Sequence, residues 1–148
     1  WTPEHYQRFV PEFQKLGVEM IEQPFPADND SILKTLGRPI PVCADESCHD
    51  TDDLSRLAGL YDIVNIKLDK TGGLTEALRL QAEAESKGFL TMVGCMSSTS
   101  LGIAPAFMIA QRAKIVDLDA PLYLCEDRPF PLKYEVSNVF PPSTKLWG

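Results

Sequence analysis

Five side chains in this chain have the types and spacing for chemistry: Glu22, Asp45, Lys67, Asp117 and Asp119. Each closes or nearly closes an apolar run that reads as a strand: VEMIE (18–22), IPVCAD (40–45), DIVNIK (62–67) and KIVDLD (114–119). A fifth run, FLTMVG (89–94), ends on glycine. Two carboxylates on neighbouring strand ends, with strands about 4.8 Å apart, can share one divalent cation. Oxygen-only ligation selects a hard ion, Mg²⁺ or Mn²⁺, over zinc. Without a metal the two acids would repel and one pKa would rise. Lys67 beside a cation and in a drier pocket would have its pKa depressed, which suits a general base; the plainer reading is a solvated lysine. Asp117 and Asp119 are two residues apart, so on a strand they point the same way and can hold an ammonium group. The alternative is a strand-end turn with two solvated acids.

The elements that position these residues alternate. Thr2–Pro3 is a helix start, Tyr6, Phe9, Val10, Phe13 and Leu16 recur at helical spacing, and Gly17 closes the helix. Further helices are expected over 30–36, 51–60, 74–87 and 99–113. Strand ends 22 to 27 residues apart with helices between them are the sequence form of a parallel β/α architecture, whose active site lies at the carboxyl ends of the strands. Five strands are too few for a closed (β/α)8 barrel of about 250 residues. The first strand is followed by Gln23-Pro24-Phe25-Pro26, not by a glycine-rich nucleotide loop, so part of a barrel is favoured over a doubly wound sheet. Gly72–Gly73 opens a helix after a strand and can be an anion site or simply a tight turn. Residues 1–119 form the partial barrel, and the proline-rich stretch 120–148 reads as an extended tail packed on it.

Composition narrows the partners. A net charge of −7 argues against nucleic acid and anionic membrane surfaces. No apolar run reaches the roughly 18–20 residues of a membrane helix, and no signal-peptide pattern opens the chain. Cys43, Cys48, Cys95 and Cys125 match no disulfide framework, and a zinc site from Cys43, Cys48 and His49 fits no standard spacing; reduced thiols and a cytoplasmic location are expected. Ser97, Ser98 and Ser100 lie in no nucleophile-elbow context, and His49 has no triad partner.

With these residues in view the chain resembles the enolase superfamily, in its muconate-lactonizing subgroup, and most closely the dipeptide epimerases. The matching stretches are IEQPFP (21–26), ADES (44–47), NIKLDKTGGLTEAL (65–78), GCMSSTSLG (94–102) and DLDAPL (117–122). The resemblance implies that Glu22 and Asp45 are two of three Mg²⁺ ligands and that Lys67 is an acid/base lysine on the sixth barrel strand. It implies that Asp117 and Asp119 bind the α-ammonium of a dipeptide, with Cys95, Met96 and Ser98 in the substrate-binding segment. Many relatives carry Glu where Ser98 stands. The implied activity is Mg²⁺-dependent epimerisation of L-Ala-D/L-Glu-type dipeptides by 1,1-proton transfer through an enediolate; the resemblance also covers muconate-type cycloisomerases and o-succinylbenzoate synthases. A non-catalytic binding module is the reading from another class. The third metal ligand and the second lysine of the family are not in this sequence. The chain therefore reads as strands four to eight of a longer enzyme, whose N-terminal part would be its partner, with a homo-oligomer possible. With its sheet edges exposed, such a fragment alone is expected to be unstable and inactive.

Overall fold

The computed structural model describes residues 1–148. Five parallel strands, β1 (Ile21–Glu22), β2 (Val42–Ala44), β3 (Ile63–Ile66), β4 (Leu90–Val93) and β5 (Ile115–Val116), lie side by side in chain order. Each connection crosses back over the same face, as successive β/α units require. The ordered strands are shorter than the apolar runs that announce them. The chemistry-bearing residues fall on the last strand residue (Glu22) or one position beyond it (Asp45, Lys67, Gly94, Asp117).

Side chains alternate between two faces of this sheet. Val42, Ala44, Val64, Ile66 and Val93 belong to the main core under the helices, whereas Cys43, Ile63 and Met92 form a separate buried cluster on the other face, flanked by Met20 and Ile115. By the same alternation Glu22, Asp45, Asn65, Lys67 and Gly94 stand on that second face, one layer nearer the strand ends. The inner face thus has an apolar floor and a charged rim.

The long helices follow their sequence signals. Helix α1 (Pro3–Lys15) starts with the Thr2 hydroxyl accepting from the His5 amide at 3.3 Å and buries Tyr6 and Val10. Pro11 sits inside α1 without ending it. The shorter helices are α2 (Leu54–Leu57) and α3 (Leu68–Thr71), the latter directly after Lys67. Helix α4 (Leu74–Ser86) buries Ala77, Leu80, Gln81 and Ala84; each Leu buried this fully contributes about 1.5–3 kcal/mol. Both long helices end in the same way, with Gly17 and Gly88 at positive φ and the next amide, of Val18 and Phe89, donating back to Phe13 and Ala84.

Three expectations need correction. The single helix over 99–113 is two short ones, α5 (Ser100–Ile103) and α6 (Ala106–Ala110), because Pro105 has no amide hydrogen to continue the first. The helix expected over 30–36 is a 3₁₀ turn, Asp30–Lys34, and that over 51–60 is a 3₁₀ turn, Thr51–Asp53, running into α2. Residues 120–148 are not uniformly extended: a 3₁₀ turn at Ala120–Tyr123 precedes an antiparallel hairpin of β6 (Tyr134–Glu135) and β7 (Asn138–Val139). This tail is tied down at Ser100 and at Leu118. Asp127 accepts from the Ser100 amide at 2.9 Å and from its hydroxyl, the Leu132 amide donates to Ser100 Oγ at 2.9 Å, and the Tyr134 hydroxyl donates to the Leu118 carbonyl at 2.6 Å.

Candidate active site

The rim residues come from different strands and are joined by direct hydrogen bonds. Lys67 Nζ donates to Asp45 Oδ2 at 2.7 Å. Lys70, one turn further on in α3, donates to Asp45 Oδ1 at 2.6 Å, to the Asp45 carbonyl at 2.6 Å and to the Asn65 carbonyl at 3.0 Å. An ammonium has three donors, so Lys70 is saturated while Lys67 has two to spare. Glu22 accepts from Asn65 Nδ2 at 2.6 Å. The side chains of Asp45, Lys67 and Lys70 are 12–14 % exposed, so these are largely buried ion pairs.

The charge balance differs from that expected for either acid or base. Burial would raise the Asp45 pKa, but the hydrogen bonds and charges of Lys67 and Lys70 outweigh it and hold the carboxyl below its usual range. Repulsion between carboxylates therefore does not govern Asp45. Burial would lower the Lys67 pKa, but the bond to Asp45 and the charges of Asp45, Glu22 and Glu46 raise it. Without a cation, the acids around Lys67 stabilise its protonated form; the expected depression is that of a lysine beside a bound metal.

Gln23, immediately after Glu22, is a positioning residue that sequence reasoning passed over. Its backbone sits at φ 36°, unusual for a residue with a side chain. In return its amide oxygen accepts from the Asp45 amide at 2.7 Å and the Ser47 amide at 3.2 Å. Its amide nitrogen faces the Phe25 carbonyl, Ser47 Oγ and Tyr61 OH at 2.8, 2.8 and 2.9 Å. Behind it, Asp30 accepts from Ser47 and Tyr61 and pairs with Arg56 at 3.4 Å. The hydroxyl of Tyr61 is pushed up to about 12, chiefly by burial. The loop carrying Asp45 is thereby fastened to the strand carrying Glu22.

On the β4–β5 side, Cys95, Met96, Asp117, Asp119 and Tyr123 line a hollow of about 270 Å³. Burial raises the Asp117 pKa, and the charge and hydrogen bond of Asp119 raise it further, so the two carboxyls face one another. Tyr123 OH donates to Asp119 at 3.1 Å. Ser98 lies outside this lining, folded against Gly102. Glu22, Asp45 and Glu46 border a separate cleft of about 620 Å³ with Gln23, Pro24 and Trp1. Lys67 links the two sides, since its charge also acts on Asp117.

A metal can be tested against these donors. Glu22 and Asp45 offer carboxylate oxygens only, and Asn65 steers Glu22 as an outer partner steers a ligand; the set fits a hard cation. No three His, Cys, Asp or Glu side chains converge to hold one unaided, so further ligands would have to come from outside these residues or from water. Of the residues missing from the sequence reading, Asn65 and Lys70 had one available signal: both lie within NIKLDK, two and three positions from Lys67.

A curled parallel β/α sheet with a charged rim at its carboxyl edge defines a segment of a β/α barrel. The chain belongs to the enolase C-terminal domain-like family, whose model matches residues 1–140. An N-acetyl-D-glutamate racemase from Pseudoalteromonas is 46% identical over the whole chain, which covers 47% of that relative. The L-Ala-D/L-Glu epimerase of Escherichia coli K12 is 52% identical over 76% of the chain and 35% of its own length. Among solved structures, an enolase family member from Agrobacterium tumefaciens with homology to dipeptide epimerases, with sodium and L-Ala-L-Glu bound, superposes with a TM-score of 0.97 at 51% identity, over all of this chain and 45% of that one. A dipeptide epimerase from Methylococcus capsulatus, complexed with Mg and L-Arg-D-Lys, gives 0.79 at 37% identity, over 84% of this chain and 38% of that one. The chain spans less than half the length of these relatives.

Proposed function

We propose that this chain supplies one side of the active site of a dipeptide epimerase, which inverts the α-carbon of the C-terminal residue by moving a proton. The observation that carries this reading is the position of Lys67. It stands between an oxygen-donor pair, Glu22 and Asp45, and an acid pair, Asp117 and Asp119, with spare donors on its ammonium. Glu22 and Asp45 would hold Mg²⁺, with at least one ligand from outside this chain's residues. When bound, the cation supplies positive charge next to the substrate carboxylate, lowering the cost of removing the α-proton.

The chain's own groups do the rest. Asp117 and Asp119, facing one another, take the substrate ammonium and relieve their mutual repulsion. Cys95 and Met96 wall that end. Lys67 returns a proton to one face of the α-carbon as an ammonium and removes it as an amine. Asp45 favours the charged form, so the lysine becomes a base once that carboxylate is engaged elsewhere. Epimerisation also needs an acid/base group on the opposite face, which the rim does not provide. The complete site therefore draws on the part of the barrel outside these residues.

Incubating the full-length protein with L-Ala-L-Glu and Mg²⁺ in D₂O tests the reading: the glutamyl α-proton signal should disappear as D-Glu product forms, and its persistence would sink the proposal. One observation favours a second reading, racemisation of an N-acylated amino acid, because the N-acetyl-D-glutamate racemase matches the chain from end to end. N-acetylglutamate has no ammonium for Asp117 and Asp119, so the same assay with that compound separates the two.

A further inference from the structure

Asn65 is 1 % exposed and makes one of the four hydrogen bonds its amide allows. Its nitrogen donates to Glu22 Oε1 at 2.6 Å, and its oxygen Oδ1, fully buried, has no partner. Turning the amide over would not help, since its oxygen would then face the carboxylate of Glu22, an acceptor against an acceptor. A buried carbonyl left unpaired costs about 1–3 kcal/mol, and each such group calls for a reason. Gly94 shows that the placement is built in. A Cβ there would lie 2.8 Å from both Asn65 Nδ2 and Oδ1 and 3.0 Å from Lys67 Cε. The missing methyl leaves room for the Asn65 amide and the Lys67 stem to share one spot on the inner face. A free acceptor and the stem of a lysine with two unused donors therefore meet at one spot.

We propose that Asn65 is a positioning residue that sets Glu22 and Lys67 relative to one another, its nitrogen steering Glu22 and its free oxygen receiving the Lys67 ammonium when Asp45 turns to a cation. This rests on the function proposed above. A cation bound at Asp45 would repel the Lys67 ammonium that the same carboxylate holds at 2.7 Å. Lys70 cannot take up the Asn65 oxygen instead, because its three donors are already spent on Asp45 and the Asn65 carbonyl. Moving to Asn65 Oδ1 exchanges a charged acceptor for a neutral one, which keeps Lys67 in place. Gly94 keeps that seat open.

Two substitutions in the full-length protein test this. Asn65→Leu keeps the volume but removes both hydrogen-bonding groups; Gly94→Ala keeps the groups but displaces them. Both variants should bind Mg²⁺, titrated calorimetrically without substrate, about 10-fold more weakly, and both should lower kcat for α-proton exchange by about 10–100-fold with KM for L-Ala-L-Glu little changed. Circular dichroism melting confirms the fold of each, so either variant suffices if the other fails to fold. A folded Asn65→Leu or Gly94→Ala protein with Mg²⁺ affinity and kcat both within two-fold of the parent would overturn the proposal. Absence of exchange in the unmodified protein would instead overturn the epimerase reading, and the calorimetric arm would still decide whether Asn65 steers Glu22.

Discussion

The two shoulders of the rim are built on opposite principles. On the β1–β2 side the polar groups are densely bonded: Gln23 fastens the Asp45 loop, Lys70 spends every donor, and Asp30, Ser47, Tyr61 and Arg56 lock the layer behind. On the β4–β5 side the acids face one another, and only Asp119 has a side-chain donor, the exposed Tyr123 hydroxyl. Geometry that must not vary is made from saturated hydrogen bonds, whereas a surface that must receive a ligand keeps like charges together until a cation arrives. Lys67 belongs to neither pattern, with one donor used and two free.

The largest test of that contrast is Lys67→Met against Lys70→Met. The first should lower the rate of α-proton exchange by about 10³-fold or more with a melting temperature near that of the parent, measured by proton NMR in D₂O and by calorimetric melting. The second should instead act on stability, by about 1–3 kcal/mol, because two backbone carbonyls and a carboxylate oxygen each lose the Lys70 ammonium as a donor. Equal effects of the two on melting would break the comparison.

On the open shoulder, the Asp117→Asn, Asp119→Asn double variant should raise KM for L-Ala-L-Glu by about 10–100-fold, the worth of a hydrogen-bonded charge pair. It should leave an N-acetylated substrate unaffected. On the bonded shoulder, Gln23→Leu should cost about 1–3 kcal/mol in chemical denaturation, since it strands the Asp45 and Ser47 amides and the Phe25 carbonyl.

The smallest effect concerns the tail. Burial would raise the Asp127 pKa, but the Ser100 hydroxyl and amide and the Arg128 amide outweigh it and hold the carboxyl low. A depressed acid stabilises the fold fully above its unfolded value of about 4 and loses that contribution as pH falls through the lower folded value. Hydrogen exchange at the Ser100 and Leu132 amides should therefore accelerate below about pH 4 in the parent, and the Asp127→Asn variant should lack that step.

Much of this was legible from local patterns. Helices α1 and α4 announce themselves through periodicity and terminal glycines, and the strand ends through apolar runs closed by charge. Pro105 also carried a readable signal, since a proline after an apolar helical turn removes the amide the next turn needs. The 136–137 hairpin turn did not, because Val136 adopts φ 53° where Asn or Gly would mark a turn. Gln23, Asn65 and Lys70 stayed hidden for a different reason. Their roles depend on which groups neighbouring strands bring opposite them, and strand register is not written in any one segment. The upward shift of Lys67 without a cation was hidden on the same ground, as it follows from four side chains meeting in space.

Lys70 has one more consequence, for the order of events. By tying Asp45 to the end of β3 it cancels the acid's charge from within the chain, so folding need not wait for a divalent ion. Loading then becomes an exchange of partners around a carboxylate already in place, and its rate should depend on how fast a lysine lets go.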